Sequence, residues 1–297
     1  MAKRIIIAYN PRSSKHLRIQ EEVIFPAQKL KGYMVGKFEI KSAPVDENVK
    51  ALSKILMDGD LLIVAGGDGT ATVGLNAVMK ASVDVTLGVL GYGNFNDFAR
   101  TVKSKNLAQI IADHERGNIK KLYPLEAWLD GKLWRYGACY FTIGMFAEST
   151  EIFDSPNTRK TLKSGKKSIL YSVIQLAKWY FKSRKKDFLA VRGKDVSDIL
   201  FVNGKTVAKM MKGGGYWQNS EEFFVSYGRL KNFFRLCGFM FKSMFIKMPG
   251  RIAKKSVKID FADLTEFEIQ AEGEFARVKA KELIVEKNSS GIKVVVS

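Results

Sequence analysis

Leu61-Leu-Ile-Val-Ala65 runs without a polar residue straight into Gly66-Gly-Asp-Gly-Thr70. A five-residue apolar run stopped by turn residues is the pattern of a strand buried on both faces, after which the chain must turn sharply. Gly66, Gly67 and Gly69 bring bare backbone to that turn and can take conformations that other residues avoid. Beyond Thr70 the apolar positions Ala71, Val73, Leu75, Ala77 and Val78 predict a helix. The glycines therefore lie between a strand and a helix N-terminus, where backbone N–H groups can hold a phosphate.

The same alternation extends through the first part of the chain. Strand patterns fall at residues 5–8, 35–41, 61–65 and 85–90, with helical patterns at 17–31, 49–57 and 107–113. Strands alternating with helices predict a parallel sheet with crossover connections. After about residue 122 the texture changes. Asp130-Gly131 has the form of a tight hairpin, and strand-like pieces recur at 188–192, 199–202, 222–227, 256–261, 266–270 and 282–286. Two helical segments, 168–181 and 233–248, interrupt them.

Three loops of the predicted parallel sheet, at Asn10-Pro11, Gly66–Thr70 and Gly93-Asn94, each follow the C-terminal end of a strand. Open α/β sheets bind ligands at that edge. No Gly-Lys-Ser/Thr and no Gly-x-Gly-x-x-Gly is present, so the site is neither a Walker A loop nor a dinucleotide fingerprint. Phosphate would be held by backbone N–H groups and by Asn and Thr side chains. Asp68 would then be available to Mg²⁺ or to an acceptor hydroxyl.

At these residues the chain resembles the diacylglycerol kinase catalytic-domain family of bacterial lipid kinases and sphingosine kinases, distantly related to NAD kinase and 6-phosphofructokinase. The resemblance is carried by Asn10-Pro-Arg-Ser-Ser14, Gly66-Gly-Asp-Gly-Thr70 and Asn96-Asp-Phe-Ala-Arg100. It continues through Thr142-Ile-Gly-Met-Phe-Ala147, Val202-Asn203, Gly213-Gly-Gly215 and Glu272-Gly-Glu274. Asn94 stands where the family has Thr, and Glu272 where it has Asp. The family's metal loop is shortened here to Tyr216–Glu221.

The resemblance implies residues 1–122 as an α/β nucleotide-binding domain and 123–297 as a mainly antiparallel β-sandwich carrying helices, with ATP, Mg²⁺ and a lipid alcohol meeting between them. It implies that Asn10, Pro11, Arg12, Ser13, Ser14, Ser42, Gly66, Gly67, Asp68, Gly69, Thr70 and Asn94 line the nucleotide. Glu274 would be the general base with Glu272 beside it, and Asp68 and Asp97 would complete the catalytic set. Phosphoryl transfer is mainly positioning and charge stabilisation, with a carboxylate accepting the hydroxyl proton. Competing readings are a lipid- or nucleotide-binding protein with little turnover and a soluble NAD kinase-like enzyme. A homodimer stays open.

Charge bears on the partner. The 297 residues carry 49 Lys and Arg against 30 Asp and Glu, a net +19, which attracts polyanions. Zinc-finger spacing, an RNA-recognition aromatic signature and a basic zipper are all missing, so nucleic acid ranks behind phosphate and membrane. Basic residues surround apolar runs at 159–186 and at 229–247. Each run is read as a core helix with solvated cations, as a helix facing an anionic membrane, or as both on different faces. Lys178, Arg235, Lys242 and Lys247 break the runs, so neither has the form of a membrane span. Residues 1–10 read as a first strand rather than a signal segment, which predicts a cytoplasmic protein peripheral to the inner membrane face. Cys139 and Cys237 lack any metal-ligand spacing, and His16 and His114 read as packing residues.

Overall fold

Alternation with a period of two divides each early strand between two layers. Ile5, Ile7, Leu61 and Ile63 point to one side, and Ile6, Ala8, Leu62 and Val64 to the other, all buried. The computed structural model describes residues 3–154, 178, 180–181, 189–191, 194–228, 230 and 232–297. Strands β1 (Lys3–Tyr9), β2 (Tyr33–Glu39), β3 (Leu61–Gly66) and β4 (Thr86–Gly91) pair in parallel. One face is covered by a helical run, α1 (His16–Ile19), a π-helical stretch Gln20–Ile24 and α2 (Phe25–Gln28), packed through Ile19, Val23 and Ile24. On the other face, α3 (Val45–Ser53) packs through Val49 and Leu52, and α4 (Asp68–Ala81) through Val73 and Val78. The expected α/β domain is thus observed, with α5 (Asp97–Val102) on the α4 side and α6 (Leu107–Glu115) on the opposite one.

The second part is antiparallel, as expected, and its main strands form one continuous sheet of eight in the order β15-β14-β11-β8-β16-β17-β6-β7. These are β6 (Leu125–Leu129), β7 (Lys132–Gly137), β8 (Tyr140–Gly144), β11 (Asp198–Val202), β14 (Glu222–Gly228), β15 (Arg251–Lys254), β16 (Ser256–Ala271) and β17 (Glu274–Lys287). Short ribbons are formed by β9 (Leu189–Val191) with β10 (Lys194–Val196) and by β12 (Thr206–Val207) with β13 (Met211–Lys212). The Asp130-Gly131 hairpin joins β6 and β7, both residues holding the positive φ of a tight turn. The patterns at 256–261 and 266–270 prove to be one long strand, β16, with a register shift between Asp260 and Thr265.

One boundary is corrected. Residues 123–297 do not all belong to the second sheet, because β18 (Ile292–Val295) returns to the first, parallel to β4 and antiparallel to β5 (Ile119–Leu122). Val294 and Val295 are fully buried there, so the last strand completes the core of the α/β layer.

The two sheets meet across α4, which explains why Thr70 to Val78 are buried all round that helix. Asn76 locks the junction, since its amide donates to Tyr136 O and its carbonyl accepts from Tyr136 N, both at 3.0 Å. A second tie sits at Lys287, whose Nζ donates to Tyr123 O at 3.1 Å, to Tyr216 O at 2.9 Å and to the Asn203 side chain. Three oxygens use the three N–H bonds of a buried ammonium. The basic run at 159–186 lies outside the described residues apart from Lys178, Tyr180 and Phe181.

Candidate active site

The parallel strands deliver four loops to one edge. Asn10 directly follows β1, and its Oδ1 accepts Arg12 N at 2.9 Å, folding Asn10-Pro11-Arg12 into an Asx turn. Ser13 and Ser14 continue that loop. The Arg12 guanidinium donates to Lys41 O at 3.0 Å and ties it to the neighbouring loop that carries Ser42. Lys15 Nζ donates to Gly93 O at 3.2 Å, reaching the loop after β4.

The glycines after β3 are explained by what passes beside them. A Cβ built on Gly93 would lie 2.5 Å from Gly67 Cα, so the loops after β3 and β4 run backbone against backbone. Gly66 O accepts Tyr92 N at 2.7 Å. Asn96, in the left-handed region at φ 56°, clamps Gly93 with both ends of its amide, at 2.7 and 3.0 Å. Asn94 is exposed on this loop, and Thr70 is buried in the first turn of α4.

Asp68 opens α4 and spans the gap to α5. Its Oδ2 accepts Asn96 N at 2.9 Å and its Oδ1 accepts Asp97 N at 2.8 Å. The carboxylate therefore caps the N-terminus of α5 from another element. Burial, followed by the nearby Asp97 charge, pushes its pKa up to about 6, against the pull of the two N–H groups.

Asp97 and Glu272, which the resemblance places in the catalytic set, are both buried. Asp97 is buried, and its Oδ1 accepts Thr206 Oγ1 and Lys209 N, binding α5 to the β12 region. Glu272 is buried too, and its Oε1 accepts Cys139 N. Burial pushes its pKa up to about 8, with the Asp68 and Asp97 charges adding. The cause is the turn itself: Glu272 and Gly273, at φ 48° and 93°, form a two-residue hairpin between β16 and β17. That turn sends Glu272 inward.

Glu274 takes the other direction. It starts β17 half-buried, and a Cβ built on Gly69 would overlap its Oε1 and sit 3.2 Å from its Cδ. Its carboxylate thus rests on the bare backbone of Gly69, in the first turn of α4. Charge from Arg135 also reaches it; that arginine, on β7, bridges to Asp46 of α3 at 3.2 Å. The sequence reading singled out neither Arg135 nor the Asn76–Tyr136 lock. A polar Asn76 inside an apolar helix was the available signal for the second.

Among the described residues, no group of three His, Cys, Asp or Glu side chains is arranged to hold a metal ion. At the shortened loop Tyr216–Glu221 the Tyr216 carbonyl is taken by Lys287. A loop edge rich in N–H groups and one carboxylate on a helix N-terminus suits a phosphorylated ligand and a proton to be removed beside it.

Residues 4–123 match the family model of the diacylglycerol kinase catalytic domain. Over 104 residues the chain is 34% identical to a diacylglycerol kinase of Staphylococcus carnosus, covering 34% of this chain and 33% of that protein. Over 108 residues it is 32% identical to a diacylglycerol kinase of Staphylococcus aureus, covering 36% and 34%. The alignments thus span about a third of these relatives' length. A solved structure of a diacylglycerol kinase from Bacillus anthracis superposes with a TM-score of 0.68 at 16% identity, over 99% of this chain and 97% of that one. The fold is shared end to end, and the resemblance read from Gly66–Thr70 and Asn96–Arg100 is borne out over residues 4–123.

Proposed function

We propose that this chain is an ATP-dependent lipid kinase that transfers the γ-phosphoryl group to the hydroxyl of a lipid alcohol of the diacylglycerol class, at the cytoplasmic face of a membrane. The observation that carries the reading is the seat of Glu274 on Gly69, which puts a carboxylate at the glycine-rich turn. The first N–H groups of α4 have no intrahelical acceptors and lie at the positive end of the helix dipole, where nucleotide phosphates are stabilised. Arg12 and Lys15 add positive charge from the loop after β1.

The lipid hydroxyl then sits between Glu274 and the γ-phosphorus. Its oxygen bonds to phosphorus as the bond from the γ-phosphorus to the bridging oxygen breaks, and ADP leaves with that electron pair. The hydroxyl proton goes to Glu274. Asp68 acts by position, holding the loops after β3 and β4 at the spacing the phosphates need. Mg²⁺ typically binds through nucleotide phosphates and one or two protein carboxylates, and a site with the Glu274 carboxylate on the first turn of α4 and, among the described residues, no three-ligand cage fits that pattern. Such an ion would neutralise phosphate charge.

Among the described residues no helix is long and apolar enough to cross a membrane, and a peripheral enzyme needs none. The test is transfer of labelled γ-phosphate from ATP to lipid extract in vesicles, comparing the natural protein with Glu274→Gln. A labelled lipid that disappears in the variant, with ATP binding retained, is the expected result. ATP binding without any labelled lipid, whatever extract is offered, would overturn the reading.

A further inference from the structure

Between Glu222 and Asp260 the chain carries nine Lys and Arg and no Asp or Glu. This stretch contains α8 (Phe233–Phe241), which follows α7 (Met145–Asp154) in the chain and continues as a π-helical turn, Lys242–Ile246. One side of α8 is docked. Phe239 is buried against Phe146, ring centroids 5.9 Å apart, while Ser243 is buried and Leu236 and Met240 are partly covered.

The opposite side is apolar as well. At 3.6 residues per turn, Phe234, Gly238 and Phe241 align about 180° from the docked face. Phe234 is 81% exposed, Phe241 59%, Phe245 64% and Ile246 65%. The rings of Phe241 and Phe245 pack together at 5.1 Å, and a Cβ built on Gly238 meets nothing within 4 Å. A helix docked along one stripe normally turns polar residues outward. Here the outward stripe is phenylalanine, flanked by exposed Arg235, Lys242 and Lys247.

Charge selects the occupant. A second copy of this surface would bring Arg235, Lys242 and Lys247 against their like, whereas an anionic bilayer offers phosphates to the cations and acyl chains to the rings. We propose that α8 and its π-helical turn are the membrane-docking element, lying flat in the headgroup layer of an anionic bilayer with Phe234, Phe241, Phe245 and Ile246 inserted. This deepens the lipid-kinase reading by naming the surface that meets the lipid, and it is measured without any phosphoryl transfer.

Cys237 is exposed on α8 and Cys139 is buried, so a polarity-sensitive thiol dye on the natural protein reports from this helix. The expected result is a blue shift of the dye with vesicles containing phosphatidylglycerol, none with pure phosphatidylcholine, and reversal by added salt. Phe234→Ser and Phe245→Ser should each lower vesicle partition about tenfold or more. Gly238→Glu, which puts a charge in open space without touching the core, should do the same with thermal unfolding preserved. Vesicle binding with a silent dye, or equal binding to neutral vesicles, would overturn the proposal. So would a dye shift that grows with protein concentration alone and accompanies a doubling of mass, since the surface would then be an interface between copies. Docking without phosphoryl transfer would leave this proposal standing and remove the kinase reading.

Discussion

Gly93 and Gly67 touch through bare backbone: a Cβ on Gly93 would stand 2.5 Å from Gly67 Cα and 2.9 Å from Asn96 Oδ1. Neither backbone can yield cheaply, because Gly67 caps α4 and Asn96 caps α5. Gly93→Ala should separate the loops after β3 and β4. The expected cost is about 1–3 kcal/mol of stability, typical of overpacking, with nucleotide affinity reduced. Urea unfolding and ATP titration check both, and unchanged ATP affinity would show that the nucleotide does not use this junction.

Asp68 holds the same two loops by a different means, accepting Asn96 N and Asp97 N with its two oxygens. Asp68→Asn keeps one acceptor and turns an N–H donor toward the other N–H. The expected outcome is a loss of about 1–3 kcal/mol and turnover lowered about a hundredfold or more. Denaturation and single-turnover phosphoryl transfer measure the two effects separately. Full turnover in a folded variant would remove Asp68 from the machinery.

Glu272 makes a prediction about pH. Its folded-state pKa, raised from 4.5 to about 8 chiefly by burial, means that the folded chain keeps a proton that the unfolded chain releases. The stability this supplies is complete below about pH 4.5 and is lost as pH rises through about 8. Oε2 has no hydrogen-bond partner, so an ionised Glu272 would leave that oxygen charged and unpaired. Glu272→Gln mimics the neutral acid and retains an acceptor for Cys139 N. Its melting temperature should fall less than that of the natural protein as pH passes 8, and parallel curves would show that Glu272 does not titrate in that range.

Lys287 ties the linker carbonyl Tyr123 O, the Tyr216 carbonyl and the Asn203 side chain to one ammonium. Lys287→Met fills the space and leaves three acceptors, the Asn203 side chain fully buried, without their donor. A loss of about 2–4 kcal/mol is expected, read as a lower urea midpoint with ATP affinity little changed in the folded fraction. A midpoint equal to that of the natural protein would mean that water replaces the ammonium at no cost.

Local pattern was enough to read the α/β layer, because apolar alternation and glycine turns act within a few residues. It was not enough for β18 (Ile292–Val295), a four-residue strand absent from the strand patterns read from the sequence, whose partner, β4, lies some two hundred residues away. Nor does sequence separate Glu272 from Glu274. They differ in direction only because the intervening hairpin turn holds Glu272 and Gly273 at positive φ. Asp97 has the chemistry of a site residue, yet the donors to its carboxylate, Thr206 Oγ1 and Lys209 N, come from the second part of the chain.

Gly69 tests the seat of Glu274 most directly. A methyl group at position 69 would occupy the space of Glu274 Oε1, and a flexible carboxylate can swing aside where a backbone cannot. Position 69 lies inside α4, where Ala is a better helix former than Gly. Gly69→Ala should therefore fold at least as well as the natural protein while displacing the base by about the width of an atom. A misplacement of about 1 Å can cost about a hundredfold in rate, so kcat should fall between about tenfold and a hundredfold with stability held or raised. Gly69→Ala combined with Glu274→Gln should fall no further than Glu274→Gln alone, because both changes act on the same carboxylate. If the double variant is slower by the full product of the two effects, Gly69 serves the phosphates and not Glu274.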